Sequence, residues 1–103
     1  PIIVKSLSAP YVYDVQIKST NTIVDNKISA NSVLQAYYNF NGSSDLSEVV
    51  WYEWTNGVST KLAEGNLLNP AIVLRNMVIS FIVTPYDGSI YGIPIESQIL
   101  YIV

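Results

Sequence analysis

No stretch of this chain keeps the 3.6-residue apolar spacing of a helix. Its apolar residues alternate or cluster in short runs, and turn residues fall between the runs. The firmest local signal is EVVWYEWTNG, where an apolar run ends in Asn56-Gly57. Asn-Gly tolerates positive φ at both central positions and so closes a two-residue β-hairpin. Other strands are predicted in YVYDVQIKS, with Tyr11, Tyr13, Val15 and Ile17 on one face, and in VLQAYYNF, with Leu34, Ala36, Tyr38 and Phe40 on one face. STKLAE reads as a polar edge strand, MVISFIVT as a strand buried on nearly both faces, and IESQILYIV as the last strand. NTIVDNKISANS reads as a polar connector, NGSSD and PYDGSIYG as turns, and Pro70 argues against a central strand around it. About seven strands with regular turns predict an all-β fold, a single antiparallel β-sandwich.

Composition narrows the function. The chain has 103 residues, one domain by size. Hydrophobic residues make up 50% of it, enough for a core and against disorder. Charged residues are only 13%, against a usual share of roughly 25%. Five Lys and Arg residues and a net charge of −3 leave no basic run to neutralise phosphates, so neither nucleic acid nor an anionic membrane is an expected partner. No apolar run is long enough for membrane insertion. There is no Cys and no His, which removes disulfides, thiolate chemistry and the commonest general base and transition-metal ligand.

The ordered motifs carry a resemblance. Pro10 with DVQI, then VLQAYYNF, NGSSD, YEWTNG, IVTPYDGSIYG and SQILYIV follow one another from Pro10 to Val103. This series resembles the immunoglobulin-like, fibronectin-III-related modules of large bacterial surface proteins and tailed-phage structural proteins. Two departures stand out: ISANS replaces the usual Gly-containing turn before the second strand, and the third strand has two tryptophans where the family often has one. The resemblance implies an Ig-like β-sandwich over residues 10–103 with a spacer, decoration or adhesion role and no catalytic residues. The expected setting is extracellular, on a virion (capsid decoration, neck or tail appendage) or on a bacterial cell surface. Expected partners are other modules or subunits.

Catalysis has little to stand on. No Gly-x-Ser-x-Gly elbow occurs, and no Ser is visibly paired with a desolvated Lys. The acidic residues fall mostly in turns and at strand ends, where solvated or capping roles are the default. Asp45 and Asp87 occupy turns where hard oxygen ligands for calcium could gather at a module joint, but no dense Asp-x-Asp loop accompanies them. No cofactor is expected. Asn41-Gly42-Ser43 is a formal glycosylation sequon that reads first as a turn.

The contact residues are therefore the candidates of interest. Alternation puts Val50, Tyr52 and Trp54 on one face of the third strand and Val49, Trp51 and Glu53 on the other. A carboxylate is costly to bury unpaired, so the Glu53 face is expected outside and Trp54 inside. Trp51 then becomes a surface-contact candidate, with Tyr86 and Tyr91 in the long turn. Such aromatics could stack on a cell-surface glycan, which makes a carbohydrate-binding module the rival expectation. ILYIV is apolar on both faces, so Leu100 and Ile102 are candidates for strand-mediated assembly. Residues 1–9 read as a linker, an edge strand, or a strand whose Ile2, Ile3 and Val4 are donated to another subunit of a filament.

Overall fold

The computed structural model describes residues 8–103, so the candidates Ile2, Ile3 and Val4 lie outside the described residues. These form an all-β structure of two sheets around one apolar core. The smaller sheet has the order β1 (Tyr11–Ser19), β3 (Leu34–Asn41), β6 (Leu67–Leu68). The larger has the order β2 (Lys27–Ile28), β9 (Leu100–Ile102), β7 (Val78–Thr84), β4 (Glu48–Thr55), β5 (Val58–Glu64), with β8 (Ile95–Glu96) also on β7. The only helical turn among the described residues is a 3-10 turn at Pro70–Ile72, which the Asn69 side chain caps by accepting from the Ala71 N–H.

The local chemistry accounts for most of these elements. Asn56 and Gly57 have φ of 52° and 77°, the positive pair a tight hairpin between β4 and β5 needs. Asp25 and Asn26, at 52° and 57°, make a second such turn, and Val24 bridges Lys27 across it. The expected connector over residues 21–32 thus holds β2, which runs parallel to β9. Asn31 and Asn76 also have positive φ, so Asx residues do much of the work that glycine does in other turns.

One expected face is reversed in β1. The β1–β3 register shifts between Tyr13 and Gln16, so Asp14 and Val15 together oppose a single residue of β3. Asp14 sits at the bulge with φ 53°. A bulge changes the phase of alternation. Val12 and Ile17 therefore point into the core, while Tyr11 and Tyr13 are 54% and 49% exposed.

The two sheets are joined differently at their two sides. Along one side the chain itself changes sheet: β5 ends at Glu64, Gly65 takes φ 103°, and β6 pairs with β3. Along the other side β1 faces the segment from β8 to β9, whose ladder to β7 is interrupted after Ser97, the last residue still bonded to Phe81 before β9. Gln98 fills that seam. Its Oε1 accepts from the Ile17 N–H at 2.8 Å, and its Nε2 donates to the Ile17 carbonyl at 3.2 Å. A side-chain amide thus supplies the two bonds that a neighbouring strand would have made at Ile17.

The core is centred on Trp51 and Phe81, directly paired across β4 and β7 with ring centroids 5.1 Å apart. Leu34, Ile17, Ile79, Val83, Leu68 and Leu100 close around them. Pro10 and Val103 lie at opposite poles. Pro10 enters β1 beside the β3–β4 turn, and a Cβ at Gly92 would overlap its carbonyl. Val103 leaves β9 at the far end of β7, with its N–H donated to the Ile28 carbonyl at 2.8 Å.

Candidate functional site

The two tryptophans have exchanged their expected places. Trp51 is fully buried, and its Nε1 donates to the Gly65 carbonyl at 2.8 Å. A buried indole needs such an acceptor, and the crossover between β5 and β6 provides it. Trp51 therefore offers no surface contact. The expectation failed at Glu53, which shares the inner face but stands near the strand end. There it borders an open cleft of about 540 Å³ with Leu62, Leu74, Arg75 and Met77. A carboxylate that reaches solvent from the rim imposes no desolvation cost on the rest of its face.

Trp54 lies on the outer face of the larger sheet, half-buried. Its Nε1 donates to Ser80 Oγ at 2.9 Å, and Ser80 Oγ donates to Glu96 Oε2 at 2.8 Å. Ser80 is fully buried although it points outward. The chain of bonds leaves the indole N–H and the serine hydroxyl satisfied, and it fixes Trp54 across β7.

Leu100 and Ile102 are also corrected. They are 0% and 2% exposed, packed in the core, and the free edge of β9 is covered by β2. Neither is free to assemble with another chain. The outward residues of that strand are Tyr101 and, just past it, Val103, 48% and 56% exposed.

Tyr86 and Tyr91 stack on each other, with centroids 4.1 Å apart and planes 18° from parallel. They bridge across the turn at the Pro10 pole. The charge of Glu48 pushes the Tyr91 hydroxyl pKa up. Asp87 shapes the same turn by accepting from the Ile90 and Ser89 N–H groups at 2.8 and 2.9 Å, which hold its carboxyl below the usual carboxylate range. Asp45 accepts from the Ser47 N–H and the Tyr38 hydroxyl, each at 3.0 Å. Burial first, and Asp45 second, push the Tyr38 pKa up to about 12. Asp87 is thus occupied within its own turn and Asp45 by its turn and by Tyr38 of β3, and among the described residues no three acidic side chains converge on a point.

The surface that strand alternation alone could not find is the outer face of β1 and β3. Tyr11 pairs with Asn41 and Tyr13 with Asn39 across the strands. The two tyrosine rings are 6.1 Å apart and tilted by 45°. Asn39 Nδ2 donates to Asp14 Oδ2 at 3.1 Å. Further along, Lys18 Nζ lies 3.6 Å from the centre of the Tyr37 ring. In the sequence this face is marked by Val12, an apolar residue out of phase with Val15 and Ile17.

Comparison with protein-family models, with curated proteins and with solved structures returned no match.

Proposed function

We propose that the chain is a non-catalytic Ig-like β-sandwich module that spaces or displays parts of a larger virion or bacterial surface protein. The observation that carries this reading is the placement of Pro10 and Val103 at opposite poles. Chain arriving at one pole and leaving at the other lets such modules stand in line. Two sheets, β1-β3-β6 and β2-β9-β7-β4-β5, packed on one core support the sandwich part of this reading. A second support is the employment of the polar side chains. Asp45 and Asp87 hold turns, and Ser80 and Glu96 hold the Trp54 indole in place.

The location is the testable part. Antibodies raised against the 103-residue chain should label intact particles or unpermeabilised cells of its source. Labelling only after disruption would overturn the surface assignment.

A further inference from the structure

We propose that the outer face of β1 and β3 is a binding site for a neutral oligosaccharide, with Tyr11 and Tyr13 as the stacking surface and Asp14, Asn39 and Asn41 as its hydrogen-bonding groups. This goes beyond the module reading and holds wherever in an assembly the module stands.

Three observations converge on this face. First, the bulge at Asp14 turns two neighbouring tyrosines outward, where each leaves about half its surface in water. An exposed aromatic ring offers an apolar π face to the C–H face of a pyranose while its hydroxyl stays hydrated. The 45° tilt between the rings suits a glycan whose successive sugars are rotated against each other, and it does not suit the flat surface of a crystalline fibre.

Second, the bulge residue is an aspartate. Glycine would adopt φ 53° without steric cost, and it brings no functional group. Aspartate adopts it with a carboxylate on the exposed face, oriented by Asn39 Nδ2 at 3.1 Å. Bulges commonly re-aim a side chain in this way.

Third, the polar groups have the chemistry of hydroxyl recognition. Asp14 accepts bonds, while the Asn39 and Asn41 carboxamides both donate and accept, which matches the paired donor and acceptor character of vicinal sugar hydroxyls. Asn41 is exposed opposite Tyr11, beside the ring pair. Lys18 is engaged over Tyr37, so the only charge within the ring cluster is the Asp14 carboxylate. The face therefore selects against anionic polymers and for neutral ones.

The test is a nuclear magnetic resonance titration of the full chain with cello-, malto-, manno- and chito-oligosaccharides, with polygalacturonate as the anionic control. At least one neutral glycan should shift the side-chain amides of Asn39 and Asn41 and the ring signals of Tyr11 and Tyr13. Tyr13→Ala should weaken that binding by at least about tenfold. Asp14→Gly should weaken it as much while leaving the unfolding temperature equal or higher, because it removes the carboxylate and relieves the backbone. Asp14→Asn keeps a residue that tolerates positive φ and should also bind more weakly. No shift with any neutral glycan at about 10 mM, a range that detects even millimolar sites, would overturn the site. So would binding that survives both Tyr13→Ala and Asp14→Gly, or tighter binding of polygalacturonate than of every neutral glycan.

Discussion

Trp51 and Trp54 are three positions apart in the chain and belong to different environments. Trp51 is enclosed against Phe81 and bonded to the Gly65 carbonyl, so Trp51→Ala removes a large buried side chain and leaves a cavity. It should cost about 3–5 kcal/mol in chemical denaturation. Trp54→Ala loses a half-buried ring and one hydrogen bond and should cost only about 1–2 kcal/mol. Equal losses would contradict the placement. Tyr38 supplies a residue-scale test of a different kind. Its pKa is raised to about 12, so the folded state holds the phenolic proton more tightly than the unfolded state does. Below pH 10 both states are protonated and the contribution is complete. Between about pH 10 and 12 the unfolded chain loses the proton first, and stability falls as the pH rises. Ultraviolet difference titration should show a tyrosine that ionises only near pH 12, and Tyr38→Phe should remove that step.

The strands were readable because their signals are local: alternation, Asn-Gly, and Pro70, which opens a helical turn where no central strand forms. What alternation could not give was phase. The β1 bulge reverses Tyr11 and Tyr13, and a rim position frees Glu53 from the rule that a carboxylate marks the outer face. The two-residue strands β2 and β6 escaped for another reason. Each exists only by pairing with a strand far away in sequence, β2 with β9 and β6 with β3, which no local window contains. Gln98 belongs to the same class, since nothing around it in the sequence announces a bond to Ile17. Gln98→Ala should leave the Ile17 N–H and carbonyl without their partner at the seam. Hydrogen exchange at the Ile17 amide should then accelerate more than at the amides of β4 and β7, with a global loss of about 1–3 kcal/mol. An unchanged Ile17 rate would show that the seam is held by other groups.

At the scale of the whole molecule, two sheets share one core, one side is closed by the chain changing sheet, and the other is bridged by the Gln98 amide. Pro10 and Val103 remain at opposite ends of that body. On the proposed module reading, this layout would carry the axis from one module to the next and leave lateral contacts to the sheet faces. The central claim is the in-line arrangement, and small-angle X-ray scattering of two copies joined head to tail tests it most directly. The second copy should lengthen the particle by at least the span of β1, about 30 Å for its nine residues. A maximum dimension close to that of a single copy, with the two bodies side by side, would contradict it.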